Sequence, residues 1–252
     1  MSIRADELLV KQGLVESRSK ARCLIELGRV VDSIGITIDK PSKKINASTQ
    51  LKVIQGLPYV SRGGEKLAHF LEQKSISVEQ KDILDVGAST GGFTDCLLQR
   101  GARSATCVDV GHGQLHKQLL LDARVTNLEG IHAKELNQHT LPHTTYPIVV
   151  VDLSFISIQQ VLATIWQRVA PDGLMITLIK PQFEVARAYA FKQRGIIKDS
   201  KVHQQVISEI ETTVRQLPQA LILGTLESPI KGGDGNTEFL LGIVKQKAPI
   251  NH

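Results

Sequence analysis

Cysteine is scarce in this 252-residue chain. Cys23, Cys96 and Cys107 show neither metal-binding spacing nor a paired framework, which excludes a disulfide-stapled scaffold and suits a reducing cytoplasm. The eight histidines are scattered and outline no metal site. No apolar run approaches the roughly 18 to 20 residues that cross a bilayer as a helix. Arg4, Asp6 and Glu7 fall where the apolar segment of a secretory signal would begin, so none is expected. What is present is a chain with 42% hydrophobic residues, enough for a substantial core in one large domain or two unequal ones.

Charge is unevenly spread. The pI near 9.1 hints at a polyanionic partner. Residues 1–60 hold 10 Lys/Arg against 6 Asp/Glu, while the remainder holds 20 against 19. Nearly all the excess positive charge sits in the first quarter of the chain.

That quarter reads as a small basic module. Leu8, Leu9 and Val10 give a first short helix its apolar face, and Gly13 stops it. Ser17 is a plausible N-cap for a second helix, with Ala21, Leu24, Ile25 and Leu27 as its apolar stripe and Gly28 at its end. Short alternating stretches follow, "GITID" and "TQLKVI". Basic side chains on such helices are ordinarily a solvated face. Here the run of Arg, Asp and paired leucines followed by "GLVESRSKA" and "GRV" resembles the S4 RNA-binding domain over roughly residues 2–56. The resemblance implies a helix pair that presents Arg4, Lys11, Arg18, Lys20, Arg22 and Arg29 to RNA phosphates, by shape and charge. The module is placed at 1–58, with a joint at 59–64 marked by Pro58 and the Gly63-Gly64 pair, and a second domain at 65–252. Arg62 joins the RNA-binding candidates.

Beyond the joint, apolar strands alternate with helices. "DILDVG", "SATCVDV", "PIVVVDL" and "LMITLIK" read as strands. "GGFTDCLLQR", "SIQQVLATIWQRV" and "SKVHQQVISEIETTVRQL" read as helices. The pattern predicts an α/β fold, a mostly parallel sheet with helices on both faces. Ligands in such sheets bind beyond the carboxyl ends of the strands. The four strands bring Asp85, Asp109, Asp152 and Lys180 to or near that edge, and four charged ends look like a site. Lys180 is expected to emerge into a cleft with an extended backbone, because Pro181 disfavours a helical conformation before it.

"LDVGASTGGFTD" follows the first strand and opens a helix. Gly87, Gly91 and Gly92 permit a tight turn and close approach of a ligand, and free N–H groups at the helix start can receive an anion. A loose glycine pattern serves a nucleotide-type cofactor or a packing turn equally well. Its spacing is not the dinucleotide fingerprint, since Ala88 and Ser89 follow Gly87. Asp109 ends the next strand, where a carboxylate can accept bonds from ribose hydroxyls. The stretch resembles motif I of the class I methyltransferases. That implies an S-adenosylmethionine site drawn from Asp85, Gly87, Ala88, Ser89, Thr90, Gly91, Gly92, Phe93 and Thr94, with Asp109, Val110, Asn127 and Asp152. Asn127 and Glu129 are expected to follow a third strand near the adenine.

Lys66, Asp152, Lys180 and Glu238, each unremarkable alone, occur in the order of the tetrad found in ribose 2′-O-methyltransferases resembling FtsJ (RrmJ). The words "YVSRGGEKL", "DVGASTGGFTD", "VVDLSFIS", "IKPQFE" and "GGDGNTEFLL" narrow the resemblance to the TlyA family, S4-domain proteins often labelled hemolysins. It covers almost the whole chain and implies cytidine 2′-O-methylation of ribosomal RNA in the cytoplasm. A ribose hydroxyl is a poor nucleophile at neutral pH. A desolvated lysine can accept its proton, and a charged one can stabilise alkoxide character. Asp152 would then orient Lys180, while Lys66 and Glu238 position the hydroxyl.

Phe93 and Phe155 can touch a cofactor or a flipped base, but core packing is the commoner use of such residues. Arg187, Lys192, Arg194 and Lys198 make the stretch after "KPQFE" basic, which suits RNA contact or a solvated loop; the family is richer in glycine there. Other readings fit less well. There is no Asn-Pro-Pro-aromatic motif for amine methylation, and no cysteine follows a proline as in many cytosine C5 enzymes. The glycine spacing disfavours a nicotinamide enzyme. A membrane-active lysin should show amphipathic or spanning segments, and a purely RNA-binding assembly factor would not need the tetrad.

Overall fold

The structure is a computed structural model that describes residues 2–232 and 235–247; Gly233 and Asp234 of the "GGDGNTEFLL" motif, and residues 248–252 of the expected second domain, lie outside the described residues. The chain divides into two compact units, Met1–Arg62 and Gly63–His252.

The first unit contains β1 (Ser2–Arg4), α1 (Ala5–Lys11), α2 (Arg18–Glu26), β2 (Val30–Asp32), β3 (Lys44–Asn46) and β4 (Leu51–Val53). Ser17 caps α2 as its sequence suggests, its Oγ accepting from the Lys20 N–H at 3.2 Å. Gly13 and Gly28, both at φ +68°, take the left-handed turn just past each helix. The strands pair antiparallel, β1 with β3 and β2 with β4. "GITID" makes only a single bridge, Val31 to Thr37. Asp32 Oδ1 accepts the N–H groups of Ile34 and Ile36 at 3.0 and 2.9 Å, so a side-chain turn takes the donors a ladder would need. Leu8, Leu9, Ala21, Leu24, Ile25 and Val30 form the core of this unit.

The second is built around one sheet. α3 (Arg62–Gln73) precedes β5 (Asp82–Val86), α4 (Gly92–Gln99), β6 (Ser104–Asp109), α5 (Lys117–Leu120), β7 (Val125–Glu129), β8 (Tyr146–Val151), α6 (Leu162–Trp166) and β9 (Val169–Ile179). Then come α7 (Pro181–Glu184), α8 (Arg187–Lys192), α9 (Ser200–Arg215), β10 (Ala220–Glu227) and β11 (Phe239–Lys245). The seven strands lie in the order β10-β11-β9-β8-β5-β6-β7. Only β11 runs against the rest. Every residue of β5 is buried, as expected of a central parallel strand covered on both faces. Chain direction across the sheet reverses between β5 and β8, and ligands of such sheets bind at that switch point.

Candidate active site

The charged strand ends do converge, though at different depths. Asp109 is the last residue of β6, while Asp152 and Lys180 directly follow β8 and β9. Asp85 lies one residue further back and is buried. Its Oδ2 accepts from the Thr94 backbone N–H at 3.1 Å and hydroxyl at 2.7 Å. Among the described residues its Oδ1 has no partner. Burial pushes the Asp85 carboxyl up to about 7, and the like charges of Asp152 and Asp109 add to this against the pull of the Thr94 bonds. Cys107 stands 3.1 Å from the Thr94 hydroxyl. Burial pushes its thiol up to about 12, so it is inert.

The glycine turn earns its glycines by crowding. At Gly87, φ +85°, a side chain would run into the Asp152 carbonyl and Leu153. At Gly91, φ +90°, it would meet Leu115 and Leu119. Asp109 holds the turn, accepting from the N–H groups of Ser89 at 2.8 Å and Gly111 at 2.7 Å. A cavity of about 470 Å³ opens here. Of the residues expected around the cofactor, Gly87, Ser89, Asp109, Val110 and Asp152 line it. Asp85, Ala88, Thr90, Gly91 and Gly92 are not in its wall, nor are Phe93, Thr94 and Asn127. Phe93 packs in the core, and Thr94 serves Asp85. Asn127 and Glu129 lie on β7 rather than after it, the Asn127 amide donating to Glu129 at 3.0 Å. Gln114, in the "VDVGHGQL" stretch, and His132 also line the cavity, although neither was among the expected cofactor residues.

The four tetrad residues meet as two pairs. Lys180 Nζ lies 2.5 Å from Asp152 Oδ1, and Lys66 Nζ donates to Glu238 Oε2 at 2.5 Å. The register brings the pairs together. Phe239 of β11 faces Ile179 of β9, so Glu238 and Lys180 are the next residues out on neighbouring strands. Gly232 leaves the room that the Glu238 carboxylate fills. As expected before Pro181, Lys180 has extended backbone angles, φ −116° and ψ 98°. Its side chain is more enclosed than a cleft residue need be, only 12% exposed.

A second cavity of about 590 Å³ holds Lys180 and Glu238, with Phe155, Phe183 and Phe191 among its walls. The two cavities share Ser154 and Phe155. Phe155 corrects an expectation: it is not core but 87% exposed, at φ +66°, 5.2 Å from the Phe183 ring. A bulky residue in that conformation is costly unless its surroundings enforce it. Two further residues brace the site. Asn236 accepts from the Ile197 N–H and donates to the Gly195 carbonyl, both at 2.8 Å, pinning the chain after α8 beside Glu238. Glu184 accepts from the Ser157 hydroxyl at 2.6 Å and the Ile158 N–H at 2.8 Å. Burial raises its carboxyl above the usual range.

The basic candidates differ in their freedom. Asp6 is fully buried and takes both Arg4, at 2.9 Å, and Arg18, at 3.2 Å. These two arginines are therefore engaged by the fold itself, against the expectation of side chains left for phosphates. Lys20 meets Glu16, Arg29 donates to the Gly56 carbonyl at 2.9 Å, and Arg62, the last residue of the first unit, pairs with Glu26 in that unit. Lys11 and Arg22 are exposed, as are Arg187, Lys192, Arg194 and Lys198. Arg187 and Lys192 lie on α8, a helix where a solvated loop was the alternative, and Arg187 reaches the second cavity.

A sheet of this strand order, with a glycine turn at the switch point and acidic residues ending its strands, is a class I methyltransferase fold. The chain belongs to the FtsJ-like methyltransferase family, whose model matches residues 59–245. It is 39% identical to hemolysin A of Brachyspira hyodysenteriae over 94% of this chain and 98% of that one. It is 36% identical to the 16S/23S rRNA (cytidine-2′-O)-methyltransferase TlyA of Mycobacterium tuberculosis, over 96% of this chain and 90% of that one. A solved structure described as a hemolysin candidate, from Streptococcus thermophilus, superposes with a TM-score of 0.72 at 38% identity, covering 98% of this chain and 90% of the other.

Proposed function

We propose that this protein transfers a methyl group from S-adenosylmethionine to the 2′-hydroxyl of a ribose in ribosomal RNA, at cytidine, in the cytoplasm. The observation that carries the reading is the placing of two lysine–carboxylate pairs where two cavities adjoin. The M. tuberculosis relative's name supports the substrate.

The first cavity suits the cofactor. Asp109 and Asp152 bring negative charge to its wall, and that charge adds to the burial that raises Asp85 behind it. A cationic ligand answers that charge. Gly87, Ser89, Asp109, Val110 and Asp152 would hold it, with Asp109 toward its ribose. When bound, S-adenosylmethionine supplies an electrophilic methyl group on a sulfonium sulfur. The second cavity then takes the acceptor nucleotide. Lys180 removes the proton of the hydroxyl as the oxygen–carbon bond forms, or, if it stays charged, steadies the growing negative charge on that oxygen. Asp152 orients Lys180, and Lys66 with Glu238 positions the hydroxyl for in-line attack. The exposed Phe155 ring, next to Phe183, offers an apolar face to a base taken out of its stack. Arg187, Lys192 and Arg194 supply positive charge beside that cavity. Residues 1–58, with the joint at 59–64, act as an S4-like RNA-binding module for the catalytic domain at 65–252; Lys11 and Arg22 are exposed on it.

Transfer of labelled methyl to small and large ribosomal subunits from cells lacking the gene tests this, with nuclease digestion to locate the label. Label is expected on cytidine ribose, and Lys180→Ala should reduce the rate by about 10²- to 10⁴-fold, the worth of general base catalysis. No label on either subunit despite measured cofactor binding would overturn the substrate, and near-normal turnover by a folded Lys180→Ala would remove the lysine from the mechanism. The hemolysin name raises a membrane-active reading. A lysin has no use for paired lysines and carboxylates between adjoining cavities, and exposing erythrocytes to the same preparation checks that directly.

A further inference from the structure

We propose that Ser154 is a positioning residue that sets the direction of the Lys180 amine, an inference that rests on the methyl-transfer reading above. Lys180 Nζ donates to Ser154 Oγ at 2.9 Å while Asp152 Oδ1 holds it at 2.5 Å. A lysine head group has three tetrahedral positions besides its stem. Ser154 Oγ fixes one of them; Asp152 Oδ1 holds the ammonium by charge without hydrogen-bond geometry, so the Ser154 bond is what sets the rotation about Cε–Nζ and aims the remaining positions at the reacting hydroxyl. An Asp152 contact alone leaves the head group free to swivel about it.

Ser154 also stands where this matters. It lines both the cavity assigned to the cofactor and the cavity assigned to the acceptor, so a head group tethered to it lies at the junction where the methyl group passes. The tether is itself braced. Ser154 is followed by Phe155 in its left-handed conformation. A few residues on, Ser157 and Ile158 are tied to Glu184, which lies four residues after Lys180. The segment after β8 and the segment after β9 are thus joined at both ends, by Lys180 with Asp152 and Ser154, and by Glu184 with Ser157 and Ile158. Ser154 is exposed, so removing its hydroxyl costs the fold little, and any loss is read at the lysine.

The test compares Ser154→Ala and Ser154→Thr with wild type. The alanine variant should keep its melting temperature, its KM for RNA and its cofactor affinity, while kcat falls about 10- to 100-fold, the worth of a hydrogen bond to a charged group. The threonine variant, which keeps a hydroxyl, should recover most of the rate. Isotopically labelled lysine gives a readout independent of turnover: the Lys180 Nζ resonance, assigned through Lys180→Arg, should move in the alanine variant and return in the threonine one, with Lys66 unmoved. An alanine variant with wild-type kcat, or a threonine variant as slow as alanine, overturns the proposal alone. Absence of transfer by wild type overturns the methyl-transfer reading and this role with it, even where the resonance moves.

Discussion

Strand β5 begins and nearly ends with an aspartate, and the two occupy opposite electrostatic worlds. Asp82, at the amino end, takes both arms of Arg103, with its Nε at 2.8 Å, and the Ser104 hydroxyl at 2.6 Å. The Arg103 guanidinium draws its carboxyl down to about 2 despite burial. Asp85, one residue from the other end, is buried more deeply, receives only Thr94 and faces two more carboxylates. Its carboxyl is pushed up to about 7. Elementary electrostatics would neutralise both sites if stability were the sole demand. Closing the amino edge with an ion pair while leaving negative charge unmet at the carboxyl edge is how a parallel sheet keeps one rim for holding itself together and the other for a ligand.

If the carboxyl rim is organised for chemistry, its buried pairs should be replaceable for stability but not for turnover. Glu238→Ala leaves the Lys66 ammonium enclosed without its partner and should cost about 3–5 kcal/mol in urea unfolding. Joining Lys66→Met with Glu238→Leu, apolar residues of similar volume, should recover most of that loss while methyl transfer stays abolished. A double variant as unstable as the single one would make the pair structural and break the comparison. The next effect is a pH slope. Because the folded state holds the Asp85 proton up to about 7 and the unfolded chain releases it near pH 4, the folded protein binds the extra proton between those values. Stability therefore falls as pH rises from about 4 to about 7, by at most about 4 kcal/mol, and is level above. Melting temperatures of Asp85→Asn across that window should lack this fall. A variant with the wild-type slope would place the titrating group elsewhere.

The carboxyl rim was also the more legible one. Strands β5, β6 and β8 and the end of β9 could be read because parallel strands are continuous apolar runs, and the charges terminating them pointed at the site before any fold was known. Lys66 and Glu238 could be paired only through family order, since 172 residues separate them and no local pattern records a contact across a sheet. β10 and β11 escaped: β10 alternates between half-buried and exposed positions at the sheet edge, and β11 follows a glycine-rich turn that reads as loop. Phe155 was read as core because phenylalanine usually is; its exposure comes from a left-handed backbone that composition does not show. The Asp6 clamp on Arg4 and Arg18 was hidden for a similar reason. Sequence counts charges, but only geometry says which are already spent on each other. Ser154, Glu184 and Asn236 are ordinary polar residues, and their roles come from contacts between segments distant in sequence.

The smallest effect tests the other rim. Asp82→Asn removes the charge that Arg103 answers, but Arg103 is 62% exposed, so water already screens much of the attraction, and the loss at pH 7 should be about 1 kcal/mol. The depressed carboxyl gives this difference a definite pH course. Asp82 stabilises the fold above the ordinary carboxylate range and surrenders that contribution as pH falls through about 2. The gap between wild type and Asp82→Asn should accordingly be full at pH 5 to 7 and close toward pH 2, the reverse of the direction in which Asp85 acts. Turnover at pH 7.5, measured at a temperature where both proteins are folded, should be unchanged. A folded Asp82→Asn that loses methyl transfer would show that the amino rim takes part in the chemistry, and the division of labour between the two ends of β5 would fall.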